Sequence, residues 1–288
     1  LEAWWLSWKE SWMSDRDQHT IEPFFLPVGQ ESIFCLLLAP VLGKPRAAVL
    51  YLPPFAEEMH KSRRMAALQA RQLAQAGYAV LQIDLPGCGD STGDFEAARW
   101  EGWLASAKAA HDWLKDKTGA PVVLWGLRLG ALLAAELSAQ IPGLAGLVLW
   151  QPVANGETFL SQFLRIRVAS DMLAEQKTGV AELRGRLAAN QAVEVGGYML
   201  APALASSIDK LRLAQFAVEA PVHWLEVSLL PDGQPSPASA KILDAWAESG
   251  AKVSVRVVEG EPFWATQEIT ECPALLVETG KAVESIAP

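Results

Sequence analysis

Apolar residues in this chain fall into short, nearly continuous runs separated by longer stretches where they recur every three or four positions. Residues 47–52 (AAVLYL), 78–85 (YAVLQIDL), 121–125 (PVVLW) and 144–150 (LAGLVLW) are the runs. Runs of that length and composition fit strands buried on both faces. Between them, residues 61–75, 95–117 and 129–140 carry the helical period. Met65, Leu68 and Leu73 share one stripe, and Trp100, Trp103, Ala107, Ala110 and Leu114 share another. The helix over 129–140 is apolar on most sides and is expected to be buried. Strand-helix alternation of this kind predicts right-handed βαβ units and a mostly parallel sheet flanked by helices, the α/β class. Residues 155–219 break the rhythm with helical pattern and no convincing strand. It resumes with a strand over 222–230, a helix over 238–249 and a strand over 252–258. An insertion placed there predicts a helical cap of about residues 156–219 on a single domain spanning 21–288.

The N-terminus stands apart. Four of the twelve tryptophans fall within the first twelve residues (LEAWWLSWKESW). The segment has neither the basic start nor the small-residue cleavage site of a signal peptide. Residues 1–20 are therefore expected to be an extension, either disordered or upstream-derived, with Met13 as a natural start. The spacing of Trp5, Trp8 and Trp12 leaves open a short interfacial helix.

With 288 residues, 51% hydrophobic and 20% charged, the chain can bury a large core. A formal net charge of −9 and no basic run longer than residues 61–64 argue against nucleic acid as a partner. No run of 18 apolar residues predicts a membrane span. Cys35, Cys88 and Cys272 lie far apart without metal-ligand spacing, which fits a reducing, cytoplasmic setting. Gly87, Gly89 and Gly93 do not form the dinucleotide fingerprint, and no metal or flavin motif is present, so no cofactor is expected. The expected partner is a small-molecule substrate or an anionic ligand.

In open α/β sheets the ligand crevice lies at the carboxyl ends of the strands. The turn G-L-R-L-G after the run 121–125 is the most informative of the segments delivered there. G-x-Nuc-x-G between a strand and a helix is the nucleophile elbow, whose glycines permit a sharp bend that lifts the central side chain over the crevice. Gly126 and Gly130 keep that spacing, but the central residue is Arg128. A guanidinium stays protonated and is no nucleophile. At a helix N-terminus it suits a carboxylate or phosphate, with Arg63 and Arg64 as helpers from the neighbouring loop. Alternatively, it pairs internally with Glu57, Glu58 or Asp90.

The strings LYLPPFAEEMHKSRRM, LQIDLPGCGDSTGDFEAARW, LWGLRLGALLA and LWQPVANGETFLSQFLR closely resemble the α/β-hydrolase-superfamily proteins named hydrolase 2, exosortase A system-associated. The resemblance runs from about residue 24 to at least 167 and more loosely to the C-terminus. It implies the α/β-hydrolase fold with a cap, and a functional link to the exosortase/PEP-CTERM system of exopolysaccharide production and protein sorting. It also implies that arginine at the elbow is the family's own pattern.

The superfamily places its acid after a late strand, where Asp232 stands in P-D-G, equally readable as a turn residue. Its base should follow the last strand, yet E-G-E-P-F-W holds no histidine. Of the four histidines, only His60, in the loop after the first run, is placed to reach the crevice; a solvated role is the plainer reading. Cys88, activated by His60, is a conceivable nucleophile. The pattern D-x-x-G-x-G-x-S-x-G over 84–93 is instead a structural turn in the superfamily, with Ser91 as its cap. Asp84 and Asp90 join Glu57 and Glu58 as crevice candidates. Two readings stay open. One is a hydrolase of an ester, thioester or acyl-type substrate that does not use Ser-His-Asp chemistry. The other is a non-catalytic binding or scaffold protein.

Overall fold

A computed structural model describes residues 19–175, 178–230 and 233–287. The predicted apolar runs are the central strands of an eight-stranded sheet in the order β1-β2-β4-β3-β5-β6-β9-β10. Strands β3 (Ala48–Leu52), β4 (Ala79–Ile83), β5 (Val122–Leu127), β6 (Gly146–Trp150), β9 (Val222–Ser228) and β10 (Val253–Glu259) run parallel. A hairpin of β1 (His19–Val28) and β2 (Glu31–Pro40) adds antiparallel to β4.

Side chains of β3 divide by period two: Ala48, Leu50 and Leu52 enter one core cluster, Val49 and Tyr51 the other. The first cluster takes up α2 (Trp100–Thr118), α3 (Leu129–Ser138) and the insertion, while α1 (Glu57–Gln75) and α8 (Pro273–Ile286) pack in the second. The predicted stripe Trp100, Trp103, Ala107, Ala110 and Leu114 is buried, and so are most residues of α3. Helix α7 (Pro237–Glu248) precedes β10. Among the described residues, no helix is long and apolar enough to cross a membrane.

The insertion between β6 and β9 holds α4 (Gly156–Leu173), α5 (Val180–Ala188) and α6 (Pro202–Lys210). It is not wholly helical: β7 (Val193–Val195) and β8 (Tyr198–Leu200) form a small hairpin. Three-residue strands on either side of Gly196-Gly197 are too short to show period-two alternation. Arginine ion pairs tie the insertion together, Arg184 to Asp209 and Arg212 to Glu157 among them.

Three expectations are corrected. Helix α1 starts at Glu57, a turn earlier than the apolar period shows, so Glu57, Glu58 and His60 sit on a helix and not in a loop. The helix expected over 95–117 is split into a single 3-10 turn (Phe95–Ala97) and α2, because Ala98 and Arg99 are extended. His19 and Thr20, assigned to the extension, belong to β1; residues 1–18 lie outside the described residues.

Candidate functional site

Strand β3 pairs with β5, so the segments leaving their carboxyl ends lie side by side. The bend after β5 is an elbow in its backbone: Arg128 has φ 55° and ψ −116° and caps the N-terminus of α3. Its N–H donates to the Trp150 carbonyl at 2.9 Å, and its carbonyl accepts from Ala131 at 3.1 Å. The two glycines permit this by close packing. A Cβ on Gly130 would stand 2.2 Å from the Leu52 carbonyl oxygen, and one on Gly126 2.5 Å from Ala131 Cα. In the segment leaving β3, Ala56 ahead of α1 has φ 52° and ψ −126°. Two non-glycine residues therefore hold this costly region in segments that leave the neighbouring strands β3 and β5.

Arg128 Nε donates to Glu58 Oε1 at 3.1 Å, with both side chains mostly buried. Its guanidinium carbon sits 5.8 Å from the Phe159 ring and 5.5 Å from the Trp264 ring, within cation–π range. Nη1 and Nη2 carry no hydrogen bond to the described residues and border a cleft of about 300 Å³. That volume is at the lower end of ligand pockets, about 300–1,000 Å³. Phe55, Glu57, Lys61, Phe163 and Gln162 complete much of its wall. Of the three carboxylates proposed as partners of Arg128, Glu58 is the one bonded. Asp90 is exposed, and its N–H serves Asp84. Burial raises the pKa of Glu58, an effect that Arg128 opposes; burial also raises that of Glu57.

Trp264 was missed by the sequence reading. It follows β10 in E-G-E-P-F-W, the segment that delivers the base in the superfamily, and it brings an indole over Arg128. Phe159 arrives from α4 of the insertion, stacking edge-on with Phe55 at 5.6 Å. Neither could be read from spacing, since both come from segments far from the elbow in sequence.

Arg63 and Arg64 do not join the cleft. Arg63 bonds Asp84 Oδ2 at 2.9 Å and Arg64 pairs with Glu271, so both guanidiniums are engaged by carboxylates outside the cleft. Asp84 is spent on structure, its Oδ2 also accepting the Asp90 N–H at 3.0 Å. Ser91 fulfils its expected role in the turn, donating to the Asp84 carbonyl at 2.6 Å and accepting the Phe34 N–H at 2.8 Å. His60 is exposed on α1, near Tyr198 with ring centroids 6.5 Å apart, and makes no contact with Cys88. Cys88 is buried beside a void of about 10 Å³ lined by Pro54, Met59, Trp103 and Leu133. Burial pushes its thiol up to about 12, which removes the thiolate that the nucleophile idea requires. Asp232 lies outside the described residues. The buried late-strand carboxylate Glu226 is used by Trp224 Nε1 at 2.8 Å and the Ser236 N–H at 2.9 Å. Among the described residues, one serine hydroxyl meets an imidazole, Ser285 with His223 at 3.0 Å. His223 is the second residue of β9, at the edge of the sheet opposite the cleft.

The family model described as "Serine aminopeptidase, S33" matches residues 43–213. A human relative, Protein ABHD12B, is 36% identical over 89 residues, which are 31% of this chain and 23% of that protein. Similar folds include Est1E from Butyrivibrio proteoclasticus with ferulic acid bound, at TM-score 0.65 and 15% identity, covering 92% of this chain and 98% of that one. A carboxyl esterase from Bacillus coagulans in complex with glycerol aligns at TM-score 0.63 and 16% identity, covering 93% of this chain and 97% of that one. At these identities the structural likeness speaks for the α/β-hydrolase fold alone.

Proposed function

Since the chain belongs to the serine aminopeptidase S33 family, yet holds a guanidinium where that fold presents its nucleophile, we propose that it is a receptor for a small carboxylate-bearing molecule. One observation carries this reading. Arg128 is anchored through Nε alone, which leaves Nη1 and Nη2 directed at an aromatic-walled cleft. A guanidinium fork so placed matches a carboxylate. Residues 156–219 act as the cap of a single domain that follows the N-terminal extension. The strings around Glu58, Asp84, Arg128 and Phe159 support membership of the exosortase-associated group, hence a working link to that system in the cytoplasm. The buried, free thiols of Cys35, Cys88 and Cys272 fit such a reducing compartment.

A second reading, hydrolysis of an ester, thioester or acyl substrate without Ser-His-Asp, is favoured by the raised pKa values of Glu57 and Glu58. A protonation shift of this direction suits a carboxyl that exchanges a proton with a reacting group.

The test combines three measurements. Aryl and alkyl carboxylates should raise the melting temperature of the native protein and not that of Arg128→Ser. Panels of p-nitrophenyl esters and acyl-CoAs should show no turnover by either; turnover that Glu57→Gln abolishes would establish the second reading. Labelling by a fluorophosphonate probe would sink both, because it would expose an activated serine.

A further inference from the structure

The cleft beside Arg128 is not simply basic. Its wall combines the cations Arg128 and Lys61 with the carboxyls Glu57 and Glu58. Glu58 Oε1 is held by Arg128 Nε, and Lys61 Nζ reaches the Ala265 carbonyl at 3.5 Å, too long for a strong bond. Glu57 Oε2 and Glu58 Oε2 are buried with no hydrogen-bond partner among the described residues. Buried polar atoms are nearly always paired, so these two ask for a donor. The terminal torsion of a glutamate is broad, so a modest rotation turns each oxygen toward the cleft. Nη1 and Nη2 of Arg128 ask for an acceptor in the same space.

Charge decides what kind of ligand answers both demands. Two cations against two carboxylates make the described wall neutral when all four groups are ionised. A carboxylate bound alone would then leave one negative charge uncompensated in a half-buried, aromatic-walled site, an arrangement that is costly. A ligand that brings its own ammonium keeps the sum at zero and supplies up to three N–H donors to the glutamate oxygens. The rings of Phe55, Phe159, Phe163 and Trp264 leave an apolar face for the body of the molecule.

We propose that the ligand is amphoteric: a small amino acid-like molecule with an aromatic or apolar side chain, its carboxylate on Arg128 Nη1 and Nη2 and its ammonium on Glu57 and Glu58. This rests on the carboxylate-receptor reading and narrows it. The cleft volume of about 300 Å³ suits one such residue and not a long chain.

Calorimetric titration of the native protein with L-phenylalanine, 3-phenylpropionate and 2-phenylethylamine separates the two ideas. The three share a body and differ only in charged groups. Phenylalanine should bind at least about tenfold more tightly than either of the others, as an added charged hydrogen-bonding contact implies. In Glu57→Gln that advantage over phenylpropionate should vanish, and phenylpropionate itself should bind more tightly than it does to the native protein, because one negative charge has left the wall; a melting curve checks that the variant is folded. Phenylpropionate binding as well as phenylalanine would overturn the amphoteric ligand and leave the carboxylate receptor standing. Phenylethylamine binding as well as phenylalanine, or no binding by any of the three, would overturn both.

Discussion

Two bends at the same edge of the sheet, the turn after β4 and the elbow after β5, each centre on a charged residue, and they use it in opposite ways. In the turn, Asp84 is consumed by its neighbours: Arg63 and the Asp90 N–H share one of its oxygens, while Ser91 bridges the Asp84 carbonyl to β2. In the elbow, Arg128 spends one donor on Glu58 and keeps the rest for the cleft. A charge closed upon its own loop fixes shape, whereas one left partly open is available to a ligand. Both sequences are glycine-rich, so the motif alone does not distinguish them.

The contrast is sharpened most by Gly89→Ala in the turn. Gly89 has φ +55°, and an added Cβ would lie 2.0 Å from Asp84 Oδ2. Strain and lost contacts together should cost about 3 kcal/mol, read as a lower urea midpoint. Next, Asp84→Asn should cost about 2 kcal/mol, a value held down because Arg63 is half exposed, without altering ligand affinity. If that substitution instead weakened binding and spared stability, the division between the two bends would fail.

A double-mutant cycle tests the elbow. Arg128→Met alone strands Glu58, and Glu58→Gln alone removes the charge facing Arg128, so the double variant should be more stable than the two single losses predict when summed. A coupling of about 1–2 kcal/mol is expected from urea melts. The smallest effect concerns Glu57. Its pKa is raised by burial, so the folded protein holds that proton over a pH range where the unfolded chain has released it. Stability is therefore lost as pH rises from the ordinary glutamate value through the folded one, and the loss persists above it. Glu57→Gln should flatten that decline and equal or exceed the native protein in melting temperature at neutral pH.

The parallel sheet was legible because its strands are buried on both faces and so read as uninterrupted apolar runs. The β1–β2 hairpin was not: Pro23 and Pro27 interrupt the edge strand, and residues such as Glu22 face outward. At the site, two glycines four apart fixed Arg128 correctly. His60 reads as a loop residue because Pro54 and Ala56 mask where α1 begins, and Arg63 and Arg64 read as cleft residues because the carboxylates that engage them, Asp84 and Glu271, lie on other segments. Trp264 and Phe159 depend on the closing of distant segments over the elbow, about which local spacing carries no information.

The indole that follows β10 limits the chemistry open to the elbow. A serine at position 128 would put a hydroxyl at the summit of the bend, but the segment after β10 offers the indole of Trp264 near the Arg128 guanidinium, and an indole N–H is a donor that cannot take the hydroxyl proton. Serine-histidine chemistry at this elbow would need coordinated changes at two loops more than a hundred residues apart in the chain, each of little use without the other. A single substitution at position 128 would therefore not by itself install a serine nucleophile with its base.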